Sequence, residues 1–366
     1  MERLDNQEVN GRKVISYGGA FIALLIGSGF ATGQELMQYF AAYGYMGIVG
    51  IALVFILLAV LAIELIYAGY TQQFKNPNDV YTYFGGKIGG KFFDIFAVFF
   101  LFLSYTVMIA GASATAVEHY NAPSWLGGSL LAVVVMLVVI LGLNKIVDVI
   151  GTIGPVIVLL TIIVGTITIF KNLDGFATAG QHLQEALDVG IMQVASSNIV
   201  LSAVSYVGFC LIWLAAFVSG IGKGANSIKE GNHGMVLGAL GFSLACLIMT
   251  LAIFVSIDQV HDSQIPVLIL AGEIHPWLAT IFSFIIFAGI FTTAVPLLWN
   301  VVARFAEEKT QKYTVLTIVL GIIGAFIGLA LDFSQLVNIV YVLNGYIGAV
   351  LMVIIIFKGI QRRIAK

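Results

Sequence analysis

The sequence predicts an all-α polytopic membrane protein with ten transmembrane helices, arranged as two inverted repeats of five. Three observations lead to this prediction. The 366 residues are 60% hydrophobic and only 10% charged, with a mean hydropathy of +1.03, whereas soluble domains carry about 25% charged residues. Ten apolar segments are long enough to cross a bilayer. The first and the sixth are interrupted by polar residues and glycines at corresponding positions.

Each apolar segment holds about 20 residues, the length that a helix needs to cross the hydrocarbon core. The predicted spans are 14–42, 46–70, 92–118, 125–143, 147–170, 197–221, 233–257, 276–303, 313–332 and 335–358. Because five is odd, the second set of five enters the membrane from the opposite side, which makes the repeat inverted. The corresponding regions are an N-terminal tail (1–13), a first repeat (14–171), an outer loop (172–196), a second repeat (197–358) and a C-terminal tail (359–366).

Lysine and arginine indicate the orientation. With ten spans both termini share one side, and that side holds 16 of the 17 Lys and Arg residues, all except Lys171. Positive charge accumulates in cytoplasmic loops, so we expect a multi-pass protein of the cell membrane with both termini cytoplasmic. No cleavage site follows the polar residues 1–13, and the first apolar segment is therefore expected to stay in the mature chain.

Two outer loops are long enough to hold structure. Residues 174–190 are typical of a short amphipathic helix. Residues 265–270 are apolar but too short to span, which predicts a helix over the outer vestibule or an interfacial helix with no gating role.

The first segment is broken by the stretch from Gly27 to Glu35, which holds three glycines and several polar residues. Irregular backbone at membrane depth persists only where protein or a water-filled cavity surrounds it, so this stretch predicts a binding site. Thr32 and Glu35 have the capping-box spacing, which predicts a second half-helix starting at Thr32 after unwound residues 27–31. Free N–H groups there favour an anion such as a carboxylate, and the preceding carbonyls suit a cation.

Five further side chains or pairs are considered for a chemical role. Glu35 either caps its own helix or acts as a proton carrier or ligand for an ammonium group, since an intramembrane acid is costly unless used. Glu64 is expected to be structural. Glu118 is expected to be solvated at the interface, with a gate or a proton relay as the alternative. Tyr105 lies in mid-membrane and needs a partner, for which a substrate is one candidate. Thr292 and Thr293 either bond back to their own helix or ligate a small cation.

The motif Ile26-Gly27-Ser28-Gly29-Phe30 resembles the Gly-Ser-Gly motif of the amino acid–polyamine–organocation superfamily, whose members share the leucine-transporter fold. The longer stretch Gly27 to Glu35 looks like that of the uncharacterised bacterial YkvI-type membrane proteins. In that fold the unwound parts of spans one and six bind substrate. With the flanking residues, the substrate-binding set expected here is Gly27, Ser28, Gly29, Phe30, Glu35, Tyr105, Tyr206, Val207, Gly208 and Phe209.

The resemblance also implies a coupling ion. Sodium-coupled members hold sodium between carbonyls of span one and hydroxyls of span eight, here Ala23, Ile26, Gly289, Thr292 and Thr293. Some proton-coupled members place a lysine inside span five, where this chain has lysines only at the ends, and this favours sodium. Glu35 just past the break departs from the general pattern of the superfamily.

These observations predict a sodium-coupled symporter of an amino acid or similar small zwitterion, in which spans one, two, six and seven rock against spans three, four, eight and nine. Two alternatives stay open: a proton-coupled transporter using Glu35, and a ligand sensor that moves no solute. Motifs for a nucleophile–base pair or a phosphate loop are absent, so no enzyme is expected. The expected partners are the solute and the lipid bilayer, without nucleic acid or an organic cofactor, and monomer and homodimer are both open.

Overall fold

The computed structural model describes residues 9–26, 28–141 and 147–365, and this part of the chain is helical without strands. The helices are α1 (Gly11–Leu25), α2 (Ser28–Thr32), α3 (Gln34–Tyr39), α4 (Met46–Gln72), α5 (Asp79–Tyr120), α6 (Ser124–Leu141), α7 (Val147–Lys171), α8 (Gly175–Asp188), α9 (Ile199–Gly224), α10 (Ile228–Val255), α11 (Ile257–Val260), α12 (Pro266–Ile274), α13 (Pro276–Ala303), α14 (Gln311–Ala330), α15 (Phe333–Leu336) and α16 (Val342–Ile364). A 3₁₀ turn at Ala41–Tyr43 and a π-helical turn at Val337–Tyr341 complete the set.

The predicted spans correspond to these helices. Within the described residues, eight helices are long and apolar enough to cross a membrane, the last of them running from Phe333 to Ile364. They match the second to fourth and the sixth to tenth predicted spans. The fifth span is α7, whose described end (Val156–Lys171) meets α8 at an angle of 104°. The first span comprises α1 to α3. Because the segment is broken, none of these helices is long enough to cross a membrane alone.

Both described ends of the chain lie on one side of the helix bundle. The amide of Asn10 donates to the carboxylate of Glu230 at the start of α10 (3.2 Å). The ammonium of Lys223 at the end of α9 donates to the carbonyl of Phe74 just after α4 (2.7 Å). Arg362 near the chain end pairs with Glu64 of α4. This side is the one that the charge distribution predicts to be cytoplasmic.

The two outer loops hold the helices predicted for them. α8 packs beside α10 and α11, and α12 packs on α13, α7 and α2. Span three is longer than predicted, since α5 begins at Asp79 rather than at 92. A residue in the left-handed region, Gly86 (φ 67°), separates the first turns of α5 from the rest, which is a conformation that glycine adopts readily.

The predicted break in span six is wrong, because α9 is continuous from Ile199 to Gly224. Gly208 instead allows close packing of α9 on α16. A Cβ atom at Gly208 would overlap the carbonyl oxygen of Gly345, and one at Gly348 would overlap the carbonyl of Gly208. Small residues at helix contacts are how membrane helices bring their backbones together.

The first segment lies at the centre of the molecule. α2 is enclosed by α5, α12 and α13, and α3 by α9 and α10. Phe30, Leu36, Tyr39 and Phe40 are fully buried. The irregular backbone is thus surrounded by protein, as a broken helix in a membrane requires.

Candidate functional site

The first segment is broken after Leu25 and again at Gly33. α1 ends at Leu25, and the amide of Ile26 closes it by donating to the carbonyl of Ile22 (3.0 Å). Ser28–Thr32 then forms a single helical turn, and Gly33 (φ 84°) separates it from α3. Gly27 lies outside the described residues, and Ser28 is described only through its backbone.

The predicted restart at Thr32 is wrong. The helix restarts at Gln34 with Gly33 as its N-cap, in a left-handed conformation that favours glycine. The Thr32 hydroxyl donates to the carbonyl of Gly29 (3.0 Å) and only weakly accepts from the amide of Gln34 (3.4 Å). The turn 28–32 is therefore folded rather than unwound.

Glu35 does not cap its helix. Its side chain crosses to α9, where the Tyr206 hydroxyl donates to the carboxyl oxygen Oε1 at 3.0 Å. The residue is 4% exposed. The backbone of Gly29 lies so close to the carboxyl group that a Cβ atom there would overlap it. The turn Ser28–Thr32, the start of α3 and α9 thus meet at the carboxyl group of Glu35.

Aromatic rings enclose this meeting point. The ring of Tyr206 contacts those of Tyr39, Phe40, Phe209 and Phe242 at centroid distances of 4.9–6.3 Å. The Cys246 thiol lies 4.0 Å from the Tyr206 hydroxyl. An acid among such neighbours is poorly solvated, which makes it costly to keep unless it is used.

The remaining predicted substrate residues divide into two groups. Phe209 packs on Tyr206 (5.0 Å) and on Tyr341 (4.8 Å), whereas Phe30 packs on Phe242 (6.0 Å), a neighbour of Tyr206. Val207 and Gly208 belong to the uninterrupted α9, so their carbonyls accept helical hydrogen bonds and are not the free ligands expected of an unwound span.

Tyr105 is directed away from this point. Its hydroxyl lies 3.5 Å from the carbonyl of Gly321, and its ring packs so closely on Gly324 that a Cβ atom there would overlap it. Its contacts are therefore with α14, and substrate binding by Tyr105 stays a prediction.

Thr292 and Thr293 both donate to the carbonyl of Gly289, at 3.0 and 2.9 Å. This is the bonding back to the helix that membrane threonines often show. A hydroxyl oxygen that donates its hydrogen keeps its lone pairs, so both remain able to face a cation. Leu24, between the predicted ligands Ala23 and Ile26, lines the same cavity as Thr293.

That cavity has a volume of about 450 Å³ and lies on the side that holds both chain ends. Its outer part is polar, with Asn78, Asp94 and Arg304, and Arg304 pairs with Asp94. Its inner end reaches Trp213, whose buried indole N–H has no hydrogen-bond partner among the described residues. Trp213 packs on Phe209, which packs on Tyr206. The cavity therefore ends two aromatic rings from the Glu35–Tyr206 contact.

Hydrogen bonds close the opposite side. In the orientation that satisfies both atoms of its amide, Gln34 donates to the carbonyl of Ser263 (3.1 Å) and accepts from Gln38 (2.9 Å). The side chain of Asn338 donates to Gln38 (3.1 Å). α3 is thereby joined both to the loop before α12 and to the start of the last span.

Glu118 fastens the same loop rather than being solvated at the interface. Its carboxylate accepts from the Ser263 hydroxyl (2.7 Å) and from the amides of Gln264 (2.6 Å) and Ile265 (3.3 Å). Gln264 in turn accepts from the amide of Phe333 (2.7 Å). Spans one, three and ten are therefore tied to one loop, away from the cavity.

Sequence reasoning missed the polar residues of the cavity. Asp94 and Arg304 lie near predicted span ends, where charges are ordinarily solvated, and nothing local indicated that they pair across 210 positions. Two charges of opposite sign within two residues of predicted span ends were the available signal.

Comparisons with known proteins agree with this fold. No family model matches the chain. The chain is 22% identical to the uncharacterized protein YyaD of Bacillus subtilis strain 168, over 92% of this chain and 94% of that protein. It is 24% identical to the uncharacterized membrane protein YkvI of the same organism, over 94% of this chain and 95% of YkvI. The predicted resemblance to YkvI-type proteins is confirmed over nearly the whole chain.

Three solved structures share the architecture. MhsT in complex with L-phenylalanine aligns with a TM-score of 0.54 and 18% identity, over 94% of this chain and 88% of MhsT. A Na⁺-coupled sialic acid symporter aligns with a TM-score of 0.60 and 15% identity, over 94% of this chain and 78% of the symporter. The Eremococcus coleocola manganese transporter aligns with a TM-score of 0.58 and 13% identity, over 93% of this chain and 78% of that transporter. The chain therefore has the leucine-transporter fold, as predicted.

Proposed function

We propose that the protein is a secondary transporter of an amino acid or similar small zwitterion, coupled to sodium and working by alternating access. One observation carries the proposal: a cavity reaches toward the broken first helix from one side, while hydrogen bonds close the other side. This asymmetry is expected of a transporter open to a single compartment. By the charge distribution, that compartment is the cytoplasm.

In this proposal Glu35 receives the ammonium group of the solute. Its carboxyl is held by one neutral donor, the Tyr206 hydroxyl, and it forms no ion pair within the described residues. A cationic group arriving beside Glu35 would compensate a charge that is otherwise costly in this surrounding. The expected contact for the solute carboxylate is the short turn around Gly29, which lies between the two breaks of the helix.

The sodium ion would lie between the end of α1 and α13. The ligands proposed for it are the carbonyls of Ala23 and Ile26 and the oxygens of Gly289, Thr292 and Thr293. Supporting this choice, Leu24 and Thr293 line one cavity. Both threonines also keep free lone pairs on their hydroxyl oxygens.

Uptake of labelled amino acids into proteoliposomes, with a sodium or a choline gradient, tests this proposal. We expect sodium-dependent uptake, and a loss of about tenfold or more in sodium affinity in both Thr292→Ala and Thr293→Ala, as one missing ligand predicts. Thr317→Ala is the matched control, because Thr317 is buried and bonds back to Tyr313 in the same way (2.8 Å) but lies in α14. Uptake that does not depend on sodium, and that neither threonine substitution changes, would refute sodium coupling.

Proton coupling through Glu35 is the second candidate, favoured by the burial of this acid beside a neutral donor. A neutral amide of the same shape cannot carry a proton. Glu35→Gln is then expected to abolish uphill uptake while exchange of solute across the membrane continues. Normal gradient-driven uptake by this variant would reject the candidate.

A further inference from the structure

The cavity holds a pair of opposite charges that the central site does not use. Asp94 of α5 and Arg304 at the end of α13 form an ion pair on its wall. Their side chains remain 26% and 38% exposed. An ion pair with this much exposure is weak and can open at little cost. Each member is then free to meet a ligand of opposite charge.

Most of the remaining wall is apolar, although Asn78, Thr293 and Asn300 also line it. Leu101 is seven residues after Asp94 in the same helix, about 10 Å further along the axis, and it lines the cavity together with Leu24, Ile212 and Trp213. The cavity is lined by both groups of spans that are expected to move against each other. Leu24 and Trp213 belong to spans one and six, whereas Asp94 belongs to span three and Arg304 follows span eight.

We propose that this cavity is a second, exit-side binding site for a zwitterionic amino acid with an apolar side chain. The ammonium group binds Asp94, the carboxylate binds the guanidinium of Arg304, and the apolar side chain points inward to Leu101 and Trp213. This inference rests on the proposed transport of a zwitterion and narrows the substrate class. A guanidinium can hold a carboxylate through two parallel hydrogen bonds, so the ligand replaces the ion pair with two contacts of the same kind.

The volume agrees with this ligand class. About 450 Å³ lies at the lower end of the range of small-molecule sites, which is about 300–1,000 Å³. A few polar groups at one end and apolar lining elsewhere are typical of such sites. A purely structural ion pair would need no cavity between its helices and the rest of the bundle.

Equilibrium binding to the full-length protein in lipid nanodiscs tests the proposal, with tritiated L-leucine and L-phenylalanine as probes. We expect a tight class of sites at Glu35 and a weaker class in the cavity. Asp94→Asn and Arg304→Gln should each weaken only the second class, by about tenfold or more, as the loss of one charge-assisted contact predicts. Lys91→Gln is the matched control, because Lys91 is an exposed cation one turn before Asp94.

Competition with two analogues separates ligand contact from a structural role. Isoamylamine lacks the carboxylate of leucine, and 4-methylpentanoate lacks its ammonium. In the unchanged protein the weaker class should prefer leucine to both. Arg304→Gln should lose the preference over isoamylamine, and Asp94→Asn the preference over 4-methylpentanoate. A pair that only stabilises the fold would leave both preferences unchanged.

Retention of the tight class shows that a variant is folded, and Leu101→Ala tests the site with the ion pair intact. It should weaken phenylalanine binding to the second class only. A single class of sites in the unchanged protein, or a weaker class that none of the three substitutions affects, would overturn the inference while transport stands. Transport restricted to polar amino acids would also overturn the inference, because the second site is proposed to bind apolar side chains. Absence of uptake for every amino acid would instead refute the proposed function.

Discussion

Glu35 and Glu64 are both buried acids in membrane helices, and their surroundings differ. The Glu64 side chain is 3% exposed and pairs with Arg362 (3.0 Å) and Arg363 (2.8 Å) near the chain end. Glu35 is equally buried, and within the described residues its one hydrogen-bond donor is neutral, the hydroxyl of Tyr206. A carboxylate held by two guanidinium groups is fully compensated, whereas one held by a hydroxyl can accept an arriving cation or proton.

The two acids also differ in what holds their partners. The guanidinium of Arg362 stacks on the ring of Tyr67, 3.4 Å from its centroid, and Gly359 leaves room for the Glu64 carboxyl. The last span is thereby clamped to α4. Glu35 instead lies beside a broken helix, against the backbone of Gly29. Burial alone therefore does not distinguish the two acids, whereas the charge of their partners does.

The largest expected effect comes from removing both cations at Glu64. The double variant Arg362→Gln/Arg363→Gln leaves a buried carboxylate without a counter-charge, which typically costs about 3–5 kcal/mol. The free energy of unfolding in lipid–detergent micelles measures this loss. Arg12→Gln, an exposed arginine in α1, is the control. A double variant as stable as this control would mean that Glu64 needs no cation, and the contrast with Glu35 would disappear.

A smaller effect is expected at Glu35 when its donor is removed. Tyr206→Phe leaves the buried carboxyl without its hydrogen bond, which costs about 1–3 kcal/mol, and uptake should fall with it. Tyr105→Phe is the matched control, since its hydroxyl is 3.5 Å from the Gly321 carbonyl, the limit of a hydrogen bond. Thermal unfolding and uptake of both variants give the comparison. Equal losses in the two would show that the Tyr206 contact is not special.

The smallest effect is expected for Arg363→Gln alone. Arg363 is 62% exposed, and Arg362 still pairs with Glu64 in its absence. Exposed ion pairs contribute about 0–1 kcal/mol, so the unfolding free energy should change by no more than that. A loss close to that of the double variant would assign the compensation of Glu64 to Arg363 rather than to the pair.

The number and placement of the spans could be read from the sequence because hydropathy is local. A run of about 20 apolar residues spans a bilayer whatever it packs against. The first break was also predictable, because several glycines and polar residues interrupt an apolar run and Gly33 adopts a conformation that favours glycine. The membrane-buried acid at Glu35 was visible for the same reason.

Span six shows where such reasoning stops. Gly208 could mark either a break or a close contact, and only the presence of Gly345 and Gly348 on the neighbouring helix decides for contact. The sequence carries no local sign of that partner, which lies more than 130 positions away.

The sequence by itself thus determined the membrane class, the inverted order of the spans, the broken first helix and a buried acid within it. The tertiary structure alone decided which acid has a cationic partner, that α9 is continuous, and that Asp94 and Arg304 face each other across a cavity. The physical reason is range. Helix length and backbone conformation follow from neighbouring residues, whereas charge compensation, close packing and cavities depend on groups that the fold brings together from distant parts of the chain.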